Sequence, residues 1–439
     1  MSDQLGIFDR GRDDETGELN LNELRAALTQ TASAAPPPPA KRTQARREQR
    51  AIRKAAAKRR KRRIRHTVIA VLVLGIIAGG VFVGFKVWRK DSTAIPNFTG
   101  DGTSETIVRV GSGDSLTDIA DTLAADDVVA SAQSFLDASA ENADVRKIKT
   151  GYYKVRLQAS AAAAVDAITD PRARVGQLRL IPGRQLADVT TKTGGGGAVT
   201  PGFITEITKA ACVPLNGVNN CFTADRLWQV EETADPATLG VVSWAVPSVL
   251  KAPDPKKRLE GMLVPGDYDV PPGSTPAQAL QSVIRQSTAN WNSMDIVAAA
   301  KAIRKSPYEV AVVASLVQRE AGIADMPKVA RVAYNRLARN MKLEFDSTVN
   351  YSLDRAQIST TATERANTSP YNTYATEGLP PTPISSPGPN AIDAALNPAD
   401  GNWLFFVKID LDGNSCFSET LAAHNICVAQ ARKNGVFGR

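Results

Sequence analysis

Histidine is almost missing from this sequence of 439 residues: only His66 and His424 occur. That scarcity excludes metal centres built on several histidines, and it leaves His424 as the one histidine open to a catalytic arrangement in the C-terminal part. Cysteine is scarce too, with four residues and no Cys-x-x-Cys spacing, so neither a zinc ribbon nor a dithiol redox pair is expected. No metal site is expected on these grounds. A basic surplus is missing from most of the chain. The formal net charge is +8, yet residues 1–66 hold 17 Lys/Arg against 8 Asp/Glu, and residues 67–439 hold 36 against 37. The body therefore lacks the positive footprint of a nucleic-acid-binding domain, and no nucleic-acid partner is expected.

Long apolar runs are absent but for one. Thr67–Phe85 has nineteen residues without a charge, followed by Lys86, Trp88, Arg89 and Lys90. As a helix it would span about 28 Å, close to the thickness of a bilayer core. The run is too long, and begins too far along the chain, for a cleaved signal peptide. Fourteen Lys/Arg between Lys41 and Arg65 precede it, so the positive-inside rule places residues 1–66 in the cytoplasm as a disordered basic tail. Residues 67–87 then read as a single transmembrane helix in the cell (cytoplasmic) membrane, and everything beyond as extracytoplasmic. All four cysteines lie on that oxidising side, and the two local pairings, Cys212 with Cys221 and Cys416 with Cys427, close the shortest loops.

Beyond a linker at 88–104, the pattern predicts an α+β fold. Residues 105–172 read as a small subdomain. Ile107–Val110 alternates as a strand, Ser115 opens an amphipathic helix, a second helix lies around Ala132–Ala140, and Gly151–Leu157 is extended. Residues 173–285 form an intermediate region with an insertion, including a strand at Gln177–Leu180 and a glycine run at Gly194–Gly197. Residues 286–439 form the third and longest part.

Here one carboxylate stands out. Ser306 and Glu309 form a capping box, with Pro307 at the first helical position. Val310, Val313, Ala314 and Val317 then mark a buried stripe, and three residues on the stripe reaches Glu320, with Gly322 placed to end the helix. Desolvation and the negative end of the helix would both raise the pKa of Glu320, which suits a general acid at a glycosidic oxygen. The alternative is a Glu at the edge of the stripe that reaches solvent or pairs with Arg319 or Arg336. A second helix at Pro327–Arg339 ends in Asn335 and Arg336. An extended stretch at Met341–Tyr351 carries Asp346, Thr348 and Tyr351. Tyr371-Asn372-Thr373-Tyr374 follows, and then Gly378–Asn390, in which five of thirteen residues are proline. Tyrosines and amides suit sugar recognition, although such tyrosines also serve as packing. Trp403–Ile409, the Asp412-Gly413 turn and Ser415–Phe417 predict a hairpin, with His424 and Asn425 after it.

Taken together, Glu320, Asn335-Arg336-Leu337, Asp346-Ser347-Thr348, Tyr351, Tyr371-Asn372-Thr373-Tyr374, Gly378-Leu379-Pro380-Pro381 and His424-Asn425 resemble the YceG-like endolytic murein transglycosylases. Leu259-Glu260-Gly261 with Pro265, Asp267 and Tyr268 resembles an upstream motif of that family, and residues 105–172 are similar to its LysM-like subdomain. Pro182-Gly183-Arg184 departs from the family's usual Pro-Glu-Gly. The resemblance implies a membrane-anchored lytic transglycosylase that cuts the MurNAc–GlcNAc bond inside peptidoglycan glycan strands and leaves 1,6-anhydro-MurNAc ends. It makes 286–439 the catalytic domain and Glu320 the catalytic acid, and it implies no cofactor. Asn335, Arg336, Asp346, Thr348, Tyr351, Tyr371, Asn372, Thr373, Tyr374, His424 and Asn425 become substrate-binding candidates. The implied partners are glycan strands, the cytoplasmic membrane and peptidoglycan synthases or an elongation or division complex. A glycan-binding adaptor without activity, and a hydrolase pairing Glu320 with Asp346, are the competing readings.

Overall fold

The structure, a computed structural model of the chain, describes residues 95–191, 197–356 and 360–436. The expected basic tail and the span at 67–87 lie outside the described residues, as does most of the glycine run. No helix among the described residues is long and apolar enough to cross a membrane.

The fold is mixed α and β, and its described part has two apolar cores. The smaller core belongs to the first element group: β1 (Glu105–Val110), α1 (Leu116–Ala125), α2 (Ala132–Ser139), β2 (Gly151–Arg156) and α3 (Ala161–Thr169). β1 and β2 pair antiparallel, with Val108 opposite Tyr153, and β3 (Arg174–Val175) adds a third strand. Ser115 caps α1 with a capping box to Asp118, as the sequence predicts, and Val108, Leu123, Phe135 and Ile168 fill the space between helices and sheet.

The intermediate region is tied to both neighbours. β4 (Gln177–Leu180) pairs antiparallel with β9 (Gly266–Asp269), which brings the Leu259–Tyr268 segment onto the larger core. Between them lie β5 (Val189–Thr191) and β6 (Ala198–Thr200), the helix α4 (Phe203–Ala211), the hairpin β7 (Pro214–Leu215) and β8 (Val218–Asn219), and α5 (Ala224–Thr233). Cys212 is joined to Cys221 across the hairpin. Its turn uses Asn216 at φ 52° and Gly217 at φ 76°, the left-handed pair that a tight hairpin favours. That turn reaches back to the first core group. Glu105 N–H donates to Asn216 Oδ1 (2.7 Å), while Asn216 N–H and Nδ2 donate to Glu105 Oε2 (2.9 Å) and its carbonyl (3.0 Å).

In the last part, α6 (Pro276–Ser293) and α7 (Ile296–Ala302) lead to α8 (Pro307–Glu320), which opens with the expected Ser306 capping box. Every residue from Val310 to Val317 is buried, so α8 is a central core helix and not the one-sided helix that its stripe predicts. α9 (Met326–Ala338) and α11 (Pro389–Leu396) pack against it. Gly322 does not end α8 in a left-handed cap, contrary to expectation. Its φ is −71°, Ala321 is extended, and the helix simply stops at Glu320. A second expectation also fails. Residues 346–352 are not extended but form α10 (Asp346–Ser352), because burial against Phe345 and Thr373 outweighs the strand preference of Thr348 and Val349. β10 (Arg355–Ala356) pairs in parallel with β5. The chain ends in the expected hairpin, β11 (Phe405–Lys408) with β12 (Ser415–Ser418), then α12 (Leu421–Lys433), with Cys416 joined to Cys427.

The proline-rich loop is stitched onto α8. Ile384 N–H donates to Ser315 Oγ (3.0 Å), Ser385 Oγ to the Ser315 carbonyl (3.2 Å), and Gly388 N–H to Gln318 Oε1 (2.9 Å). Gly261, at φ 73°, lies so close to Pro383 that a Cβ there would meet the ring at 2.3 Å. Only glycine fits that crossing.

Candidate active site

Glu320 closes α8 and faces a cleft of about 790 Å³. One wall, the inner one, is α10 with the segment 360–374. The other, the outer wall, is the β11–β12 hairpin and α12, which contribute Phe405, Lys408, His424 and Arg432. A second cavity, of about 450 Å³, lies in the first element group beside Glu105 and Lys154, and contains none of the residues just named. The chemistry points to the cleft at Glu320, because an uncommon kind of carboxyl group stands there.

Glu320 is half-buried at the end of a fully buried helix. Withdrawal from water raises its pKa above the ordinary carboxylate range, and the nearby Asp346 adds to the rise. Hydrogen bonding to Ser347 opposes the shift, with Ser347 N–H donating to Glu320 Oε1 (3.2 Å), and Lys408 opposes it further. The balance is a carboxyl group that keeps its proton at higher pH than usual while remaining open to the cleft.

The other two carboxylates on the cleft wall are neutralised. Glu344 Oε2 pairs with Arg336 Nη1 (2.9 Å), and Asp346 Oδ1 lies 3.5 Å from Arg365 Nε. Asp346 Oδ1 also accepts from Thr360 Oγ1 (2.5 Å) and the Tyr374 hydroxyl (2.8 Å). Among the described residues Glu320 is thus the one cleft carboxyl group without a cationic partner.

Most of the expected substrate-binding residues point into protein. Thr348 and Thr373 are fully buried and share a hydroxyl–hydroxyl contact of 2.9 Å; Thr373 Oγ1 also accepts from Phe345 N–H. Asn372 is fully buried, and its Nδ2 donates to the carbonyls of Arg365 and Asn367 while its Oδ1 accepts from Tyr374 N–H. Tyr351 and Tyr371 stack edge to face at 5.0 Å in the core, and the Tyr351 hydroxyl donates to Glu260 Oε2 (3.4 Å). Asn335 Nδ2 holds the carbonyls of Gly401 and Trp403. Asn425 is exposed on α12 and does not line the cleft. Amides and hydroxyls serve a rigid scaffold as well as a sugar: Thr348, Asn372 and Thr373 close backbone hydrogen bonds of the inner wall, Asn335 holds the segment before β11, and Tyr351 and Tyr371 bond to buried side chains.

Four expected site residues besides Glu320 do line the cleft. Asp346 and Tyr374 stand on the inner wall. Arg336 is buried, with its guanidinium bonded to the carbonyls of Lys342, Leu343 and Leu404, so it fastens the two walls together at their base. His424 stacks on Phe405 with ring centroids 5.3 Å apart, and burial holds its imidazole toward the neutral form. Residue pattern did not single out Lys408 or Arg432, both of which line the cleft.

A family model described as the YceG-like family matches residues 108–430, nearly three quarters of the chain. The endolytic murein transglycosylase of Bacillus subtilis (strain 168) is 34% identical over 173 residues, which cover 39% of this chain and 47% of that protein. The endolytic murein transglycosylase of Streptococcus pneumoniae serotype 2 (strain D39) is 30% identical over 181 residues, covering 39% of this chain and 32% of that protein. The chain therefore spans less than half the length of these curated relatives. A solved yceG-like protein from Listeria monocytogenes superposes with a TM-score of 0.48 at 23% identity, covering 73% of this chain and 98% of that one.

Proposed function

The chain belongs to the YceG-like family, and from that membership and the geometry of the cleft we propose that it is a membrane-anchored endolytic lytic transglycosylase acting on peptidoglycan. One observation carries the reading: a single raised carboxyl group, Glu320, stands in a cleft whose other carboxylates are paired with arginine. A hydrolase of the common kind needs a second carboxylate to activate water or to form a covalent bond. Asp346, with three donors on one oxygen, is built as a fixed orienting group.

In the proposed reaction Glu320 gives its proton to the oxygen that links N-acetylmuramic acid to N-acetylglucosamine, and the bond from that oxygen to C1 breaks. The muramyl C6 hydroxyl closes onto C1, and its proton passes to the Glu320 carboxylate, which ends as it began. The products are a 1,6-anhydro-muramyl end and a free N-acetylglucosamine hydroxyl. No water is consumed. Ser347 N–H steadies the carboxylate during the exchange.

Residues 67–87 would anchor the protein in the cytoplasmic membrane with the basic tail inside, placing the cleft where nascent strands emerge, beside the synthases and the elongation or division complex. Incubating the full-length protein with purified sacculi and weighing the released fragments tests the reaction. Anhydro-muramyl ends are expected; reducing ends would make it a hydrolase, and intact sacculi an adaptor. A reporter active only in the cytoplasm should be on when fused at residue 60 and off at residue 100. The reverse would overturn the reading.

A further inference from the structure

The cleft carries more positive charge than its own carboxylates can use. Five cations line it, and two of them, Arg336 and Arg365, are taken by Glu344 and Asp346. Arg319, Lys408 and Arg432 remain, all exposed and none paired with a carboxylate among the described residues. Arg319 Nη1 donates to the Gly183 carbonyl (3.1 Å), which fixes its position without neutralising it. Lys408 leaves the hairpin wall and Arg432 the last turn of α12, so the three come from separate elements and meet around one opening.

Such a rim works against the acid it surrounds, since Lys408 favours the ionised form of Glu320. A cleft that handled only neutral sugar would gain nothing from it. An anionic substrate would neutralise the rim on binding and remove that opposition at the moment the proton is needed.

We propose that Arg319, Lys408 and Arg432 form an anion-recognising rim that selects glycan strands by the free carboxylates of their stem peptides. The proposal rests on the transglycosylase reading above and names the substrate class within it. The sugars enter the cleft toward Glu320, and the peptides, which project from the lactyl groups, lie across the rim. Recognition by charge at an exposed rim is screened by salt, with a Debye length of about 8 Å at physiological ionic strength.

The test compares three kinds of strand with identical sugars: stems with free carboxylates, stems whose carboxylates are converted to carboxamides, and strands stripped of stems. Full-length wild type should show kcat/KM for the first at least about tenfold above the other two at low salt, mainly through KM, and the advantage should shrink as salt rises. The double variant Lys408→Gln with Arg432→Gln should bring the ratio to within about threefold of one, with an unchanged melting temperature, because both side chains are exposed and neither makes an ion pair among the described residues. Equal rates on the three strands by wild type, or a ratio unmoved in the double variant, would overturn the rim. Binding of the same strands to Glu320→Gln protein is measured alongside. If wild type cuts none of them the enzymatic reading fails, and the binding ratio still decides whether the rim selects carboxylates.

Discussion

On the inner wall of the cleft Asp346, Thr348, Asn372, Thr373 and Tyr374 all close hydrogen bonds within the protein, whereas on the outer wall Lys408 and Arg432 have no ion-pair partner among the described residues and Phe405, between His424 and the Arg336 guanidinium, still lines the cleft. Both walls are rich in polar and aromatic residues, so composition does not separate them. Satisfaction does. A polar group whose bonds are complete holds its neighbours still, and one whose bonds are open is available to a ligand. The inner wall is therefore the rigid mount for Glu320, through Ser347, and the outer wall is the surface left open to a ligand.

The largest effect should come from the one group that belongs to both sides. Glu320→Gln keeps the size and the bond from Ser347 but cannot deliver a proton. Strand cleavage should fall at least about a thousandfold with little change in melting temperature. Because the raised pKa keeps the acid protonated, wild-type activity should persist above the ordinary carboxylate range and fall as pH rises through the pKa of Glu320. Cleavage by the variant within tenfold of wild type would place the acid elsewhere. Next comes the mount itself. Asn372→Ala would orphan two half-buried carbonyls and the Tyr374 N–H, at a cost of about 1–3 kcal/mol read from denaturant melts. A loss below about 0.5 kcal/mol would mean that Asn372 is not a scaffold residue.

This contrast also explains what was legible in the sequence. The capping box at Ser306, the strand at 177–180, the hairpin at Asp412-Gly413 and both cysteine pairings depend on short-range signals, and all four appear in the structure. Glu320 was visible because a helical stripe pointed to it. The direction of Thr348, Tyr371, Asn372 and Thr373 was not, since it depends on contacts between segments some twenty-five residues apart, such as Thr348 with Thr373. α10 was hidden for the same reason: its β-branched Thr348 and Val349 look extended until burial is known. The rim cations carry no motif at all.

The two disulfides sharpen the comparison at a smaller scale. Each closes a short loop and should contribute up to roughly 3 kcal/mol by restricting the unfolded chain. Cys416 lies opposite Val407 in the outer-wall hairpin, and Cys427 on α12 beside Val428, which lines the cleft. Cys416→Ser with Cys427→Ser should thus lower both melting temperature and strand cleavage. Cys212 and Cys221 close the hairpin that Asn216 uses to hold Glu105. Replacing both by Ser should lower stability and speed proteolysis near residue 105, with turnover nearly intact. Equal losses of turnover in the two double variants would show that the outer wall does not depend on its own bridge.

The smallest effect concerns carboxyl groups that resemble Glu320 in burial but not in access. Glu231 and Glu260 are closed off from solvent, and desolvation pushes them to about 8 and about 7. The charge of Arg258 offsets only part of the rise at Glu231, and its guanidinium bonds to the carbonyls of Glu231 and Ala234. Glu231 Oε2 and Glu260 Oε1 have no hydrogen-bond partner among the described residues, a state that a neutral acid tolerates better than an anion. In the folded protein both groups hold protons that the unfolded chain has already lost above its ordinary value of 4.5. Their contribution to folding stability should therefore be complete below about pH 4.5 and decline between about pH 4.5 and 8, by at most about 1.4 kcal/mol per pH unit for each group. Glu231→Gln keeps a neutral side chain of the same shape, so denaturant midpoints measured across that window should decline less steeply than in wild type. Identical slopes would mean that Glu231 is ionised in the fold, and that closed burial alone does not distinguish it from the acid in the cleft.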